Sequence, residues 1–116
     1  MKNGIELIKE ERQRQIEVEG WTAEHDKQFK NDELFNAAAS YSAREGFRNE
    51  DDNSIPSAWP FDPEWWKPTP NDRIKELVKS GALFMAHEKL TGSTCGGHIA
   101  SCARRIDKLL KNENKS

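Results

Sequence analysis

The chain has few apolar side chains. Of its 116 residues only 34% are hydrophobic, against 33% charged, and the mean hydropathy is -0.95. No apolar run approaches the roughly 20 residues needed to cross a bilayer, so no membrane partner is expected. Positive charge is not in surplus either, because the formal net charge is -2. That leaves no broad cationic surface for duplex nucleic acid. Cysteine is scarce at two residues. With no export signal, this predicts a cytoplasmic protein kept in a reducing compartment. There is no internal repeat. A core this thin for a single domain spanning 1–116 predicts support from a homo-oligomer or from a long buried segment.

What the chain does have is concentrated. All five prolines and three of the four tryptophans fall between Pro56 and Pro70, reading P-S-A-W-P-F-D-P-E-W-W-K-P-T-P. Proline fixes φ and lacks an amide hydrogen, so this stretch is no helix interior and is expected as a stiff, extended strap. Trp59, Phe61, Trp65 and Trp66 carry too much apolar area to leave in water. The strap must therefore dock on the domain, on a partner or on a flat aromatic ligand. Lys67 beside the paired indoles favours the ligand, since stacking next to a cation is how proteins hold bases and phosphates.

Helical spacing accounts for most of the rest. A first helix is expected from Asn3 to Glu19, with Ile5, Ile8, Arg12, Gln15, Ile16 and Glu19 on one stripe. Arg12 and Gln15 on that stripe either reach out to water at its edge or face a polar cavity. Gly20 is suited to end the helix, and Thr22 to cap a single turn through Asp26. Asn31 or Asp32 starts a second helix through about Arg44. A polar, acidic loop, Gly46 to Ser57, is expected to be mobile. Asn71 caps a third helix, with Asp72 in its first turn. Gly81 inside it costs about 1 kcal/mol against alanine, which close approach of another backbone would offset. A fourth helix runs from near Ser93–Gly97 to about Lys111, burying Ile99, Cys102, Ile106, Leu109 and Leu110. The fold class is all-α, a four-helix bundle-like domain with a long Pro/Trp-rich crossover between helices 2 and 3.

Several constellations carry possible chemistry. Cys95, His98 and Cys102 share a helix face, but three members without a fourth ligand read as core. Thr94–Gly97 opens a helix, yet no Gly-Lys-Ser/Thr follows, so it is no ATPase-type phosphate loop. Glu11, Asp26, Glu33 and Glu76 are the carboxylates for Mg2+ and a nucleotide pyrophosphohydrolase. The helical version of that chemistry needs E-x-x-E and E-x-x-D pairs. Here Glu76 is followed three positions on by Lys79, and Glu10 by Gln13, so the tetrad is incomplete. The remaining set is Arg12, Gln15, Tyr41, Trp65, Trp66, Lys67, Arg73 and Lys79. Arginine forks match phosphate oxygens and indoles stack on bases, and no nucleophile with an adjacent base lies among them. The competing reading is that the indoles plug the bundle and the cations pair with acids.

Four phrases in order resemble a family of small phage and prophage helical proteins: Glu11 to Asp26 (E-R-Q-R-Q-I-E-V-E-G-W-T-A-E-H-D), Glu33 to Tyr41, Trp59 to Pro68 and Arg73 to Leu83. The resemblance covers roughly residues 10 to 90. The C-terminal helix, within 91–116, lies beyond it. Matching positions are Arg12, Gln15, Trp21, His25, Asp26, Glu33, Tyr41, Trp65, Trp66, Lys67 and Arg73. That family is distantly similar to MazG-type nucleotide pyrophosphohydrolases. The resemblance implies a phage-associated protein in the bacterial cytoplasm. Joined to the Trp-Trp-Lys strap, it predicts a nucleotide-binding protein that sequesters a host immune signalling nucleotide, a cyclic dinucleotide or an ADP-ribose derivative, without turnover. No cofactor is then needed. Mg2+-dependent hydrolysis is the alternative. A third is an inhibitor that binds protein through Glu50-Asp51-Asp52 and the strap.

Overall fold

The computed structural model describes residues 2–29, 32–43, 55–69 and 71–113. Its elements are α1 (Gly4–Glu17), α2 (Ala23–Asp26), α3 (Glu33–Ser42), a 3₁₀ turn (Pro63–Trp65), α4 (Arg73–Thr91) and α5 (Gly96–Glu113). Among the described residues there is no strand, and none of the helices is long and apolar enough to cross a membrane. The all-α expectation holds, with the single turn at Thr22 realised as α2. The expected acidic loop lies outside the described residues up to position 54, as do Asn31 and Arg44.

Local chemistry sets the helix ends. Asn3 opens α1 with a capping box: its Oδ1 accepts from the Glu6 amide at 3.0 Å, and Glu6 Oε1 accepts from the Asn3 amide at 3.3 Å. Together these satisfy two amide donors that the first turn leaves without intrahelical partners. The helix stops at Glu17 instead of Glu19, with Val18 as its C-cap. Gly20 lies just beyond with φ 75°, where the chain turns toward α2. Thr22 caps α2 as expected, accepting from the His25 amide.

Two caps differ from expectation. Asp72, not Asn71, caps α4: its Oδ1 accepts from the Lys75 amide at 3.0 Å. Both residue types are good caps, and the choice between neighbours depends on backbone geometry that sequence leaves open. Asp32 occupies the N-cap position of α3 in the left-handed region (φ 58°), but its side chain makes no capping bond.

Helix α4 is the hub, packing on α1, α2, α3 and α5. Small residues let α3 approach it closely. Ala37 and Ala38 are fully buried, and Ser80 Oγ donates to the Ala38 carbonyl at 2.7 Å. Gly81 faces α1, but the group pressed on it is the Ile8 side chain, not a backbone. A Cβ there would sit 2.6 to 2.9 Å from Ile8 carbons. The C-terminal helix closes the other side, burying Ile99, Cys102, Ala103 and Ile106. Leu109 and Leu110 are only half-buried at its edge.

The strap docks on the body of the domain. It is not extended throughout, because Pro63 opens the 3₁₀ turn and Trp66 ends it. Proline suits a first helical position, where no amide hydrogen is required. This turn separates the paired indoles. Trp66 is 9% exposed and tilts over Tyr41 with centroids 4.7 Å apart; Trp65 is 56% exposed.

Candidate functional site

A cavity of about 470 Å³ opens between the strap and the α2 region. Trp21, His25 and Phe29 form one wall, and Trp59, Phe61 and Trp65 the other. Tyr41 from α3 and Lys79 from α4 line it between them. Ring contacts run continuously around it. Trp21 stacks on His25 (6.5 Å between centroids), and His25 meets Phe29 edge-on (5.7 Å). Phe29 meets Phe61 at 5.2 Å, Phe61 meets Trp59 at 5.5 Å, and Trp59 meets both Trp66 and Tyr41. Each such pair contributes about 0.5–1.5 kcal/mol beyond area burial. The strap is thus tied to α2 and α3 mainly through rings. Trp65 is different: among the described residues it packs against no other ring, although it borders the cavity.

The polar side of the cavity rests on a buried relay. Asp26 is 2% exposed. Its Oδ1 lies 3.0 Å from His25 Nδ1, and its Oδ2 accepts from Arg12 Nη2 at 3.1 Å. Arg12 Nη1 donates to Gln15 Oε1, and Gln15 Nε2 donates to Glu11 Oε2. Glu11 also takes two bonds from Arg14, which together with Glu19 hold that guanidinium's pKa above its ordinary value. A carboxylate only accepts, so His25 carries its hydrogen on Nδ1 and turns Nε2 toward Gln28, 3.1 Å away. Arg12 and Gln15 are therefore not at a wet edge. Gln15 is fully buried, and both groups form the support behind His25.

Lys79 is the cation of the cavity lining. Its Nζ sits 4.9 Å from the Tyr41 ring centroid and donates to the Lys67 carbonyl at 3.4 Å. Burial pushes its pKa down, helped by the charge of Lys75 and opposed by Glu11 and Glu76. Desolvation disfavours the charged amine.

The sequence-derived candidates divide into two groups. Tyr41, Trp65 and Lys79 line the cavity. Trp66 is covered by Tyr41, and the exposed Lys67 gives its backbone amide to Tyr41 Oη at 3.3 Å without lining the cavity. Arg73 has a structural role instead. Its guanidinium donates to the carbonyls of Tyr41, Ser42 and Ala43 at 2.6 to 2.7 Å, and to Glu76 Oε1 at 2.8 Å. It closes the C-terminus of α3, where the last carbonyls have no helical partner.

The carboxylates named for Mg2+ do not gather. Glu76 is held by Arg73 and the Thr69 amide, Glu11 by Arg14 and Gln15, and Asp26 by Arg12 and His25. Glu33 sits in the first turn of α3. Among the described residues no group of three or more His, Cys, Asp and Glu side chains is arranged to hold a metal ion. Near the other end of α4, His98 stacks on Phe84 at 4.9 Å and Cys102 faces Ser80 Oγ. Glu88 Oε2 accepts from the Cys95 amide at 2.6 Å, so that amide at the start of α5 is already bonded to a carboxylate.

Five wall residues lie outside the sequence-derived binding set: Trp21, His25, Phe29, Trp59 and Phe61. The usable signal was His25-Asp26 in the single turn that Thr22 caps, an imidazole next to a carboxylate that can orient it. No protein-family model matches the chain, and neither a curated protein nor a solved structure is found similar to it.

Proposed function

We propose that the chain binds a nucleotide without turning it over, taking the base into the aromatic cavity. The observation that carries this reading is Trp65: an indole 56% exposed, at the edge of a ring-lined cavity that also presents an amine. A base stacked on an accessible indole gains about 1–3 kcal/mol. Lys79, with Lys67 exposed nearby, supplies cations for a phosphate. Gln28 and the Asp62 side of the strap supply polar contacts for the base edge. Binding without hydrolysis is favoured because Glu11, Asp26 and Glu76 are already hydrogen-bonded, to Arg14 and Gln15, to Arg12 and His25, and to Arg73 and the Thr69 amide respectively.

Two finer features belong to the same proposal. The phage-type resemblance of the four phrases suggests a host immune signal, a cyclic dinucleotide or an ADP-ribose derivative, as the sequestered ligand. The thin core suggests a homo-oligomer in the bacterial cytoplasm, with the exposed Trp65 near a partner. Calorimetry against a panel of nucleosides, mononucleotides, cyclic dinucleotides and ADP-ribose tests the reading. A Kd tighter than about 10 μM, or about -7 kcal/mol, is expected for one class. Trp65→Ala should weaken it about 5- to 150-fold, the span of one stacked base. Absence of binding at that level across the panel would sink the proposal. Release of phosphate or pyrophosphate from the bound nucleotide would remove the no-turnover half.

A further inference from the structure

An amine at the border of an aromatic cavity has chemistry of its own, independent of nucleotides. Among the described residues, Lys79 forms no ion pair, although acids stand near it. Glu76 is engaged by Arg73 and the Thr69 amide, and Glu11 by Arg14 and Gln15. The one hydrogen bond of its Nζ is long, 3.4 Å to a backbone carbonyl, and its other close neighbour is the face of Tyr41. The opening before it is about 470 Å³ and walled by Trp59, Phe61, Trp65 and Trp21. That volume and those walls suit a single flat ring system. A half-buried lysine beside aromatic rings, next to another cation and bonded to no carboxylate, is an arrangement in which an amine serves as a nucleophile toward carbonyl carbon.

We propose that Lys79 forms a reversible imine with an aromatic aldehyde or ketone whose ring is held between the strap and α2. The neutral amine's lone pair attacks the carbonyl carbon, and the carbonyl π pair moves to oxygen, which takes up a proton while the nitrogen gives up one of its two. The resulting carbinolamine expels its hydroxyl as water after a second protonation. Loss of the remaining nitrogen proton leaves the C=N bond. One water is released, and nothing is oxidised or reduced. The charged or titratable groups around the amine are Lys75 on its own helix, Glu76 one turn back, Glu11 and Arg14 from α1, His25 and Asp26 from α2, and Asp62 from the strap. Burial and Lys75 favour the free amine that the first step requires, and the two glutamates oppose it.

The test uses the whole chain with 2-hydroxybenzaldehyde and cyanoborohydride at pH 7, which traps the imine by hydride addition to carbon. Peptide mapping then compares Lys79 with Lys75, an exposed lysine on the same helix. At limiting aldehyde, label at Lys79 should exceed that at Lys75 at least tenfold. Lys79→Arg should abolish the dominant adduct, whereas Lys75→Arg should leave it. The mapping on wild-type protein stands even where a variant fails to fold. Equal label at the two lysines overturns the proposal. So does an equal preference of Lys79 for propanal, because the aromatic walls would then select nothing. Neither result touches the nucleotide reading, which is judged by calorimetry on the unlabelled protein.

Discussion

Arg12 looks from sequence like a phosphate contact and from structure like the support of Asp26, and the two roles predict different losses. In Arg12→Met the aliphatic stem is roughly retained, but the guanidinium is gone. Asp26 then keeps only its His25 contact while its side chain stays about 3% exposed. Removing one partner of a buried pair costs about 3–5 kcal/mol, since the remaining charge is stranded. His25 still donates to the other oxygen and Arg12 itself is not fully sealed, so about 3 kcal/mol is the expected loss. Against a total of about 5–15 kcal/mol this is large. With a urea slope of about 1–3 kcal/mol/M, the unfolding midpoint should fall by about 1–3 M. Asp26→Asn in the same chain removes the stranded charge, so the double variant should recover part of the loss. A coupling of about 1–3 kcal/mol is expected from the cycle. A midpoint within about 0.3 M of wild type for Arg12→Met, or strict additivity of the pair, would refute the buried-support role and return Arg12 to the ligand.

Gly81→Ala adds a methyl 2.6 Å from Ile8 carbons, so overpacking of about 1–3 kcal/mol should exceed the helix-propensity gain of about 1 kcal/mol. Thermal melting should fall, and Ile8→Val should restore part of it; a rise in Gly81→Ala melting temperature would contradict the packing. Arg73→Lys should be nearly as damaging as Arg73→Ala, because one ammonium cannot serve three carbonyls and Glu76 together. Full stability of the lysine variant in urea would show that charge alone matters there. Burial lifts both thiols above their ordinary pKa of 9.0, with Glu88 adding to the rise at Cys95 and Ser80, Arg105 and Arg73 tempering it at Cys102. Thiolate is then scarcer than in the unfolded chain, so a chromogenic disulfide at pH 8 should react slowly until urea is added. The stabilising contribution should be complete below pH 9 and decline above it. Rapid reaction of the folded protein would disprove the burial.

Helices were legible because their cause is local. Ile5 with Ile8 and Ile99 with Ile106 recur at helical spacing, and Thr22 marks a start by its own chemistry. The cavity was only partly legible, because its walls come from segments some 30 to 40 residues apart. Trp59 and Trp65 announced a ring-rich strap, but nothing in the spacing of Trp21, His25 and Phe29 said that the strap would close on them. Cations were the least legible. An arginine beside a strap carries the same sequence signal whether it meets a phosphate or, like Arg73, the carbonyl end of a helix. Only the direction of the side chain separates the two.

The polar core and the aromatic wall are one solution to a shortage of aliphatic residues. Gln15, Asp26 and Glu76 occupy buried positions that a richer sequence would give to leucine. Such groups are tolerated only when bonded, and each here has named partners. Satisfied polar clusters fix geometry more sharply than an apolar core, because a shifted side chain loses its hydrogen bonds outright. His25 is consequently held in one tautomer by a carboxylate that is itself held by Arg12. The rings do the converse. They supply burial through the strap, yet they meet at edges and tilts, which leaves a space between the two walls. A protein that filled its centre with leucine would have closed that space. Accessibility of Trp65 to a neutral quencher such as acrylamide separates the alternatives within a single experiment. Quenching should fall when a nucleotide from the calorimetric panel binds, with Trp65→Ala removing most of the change. If quenching were unaltered by a ligand that calorimetry shows to be bound, the ligand would sit elsewhere, and the cavity would be no more than the consequence of packing rings in place of aliphatic chains.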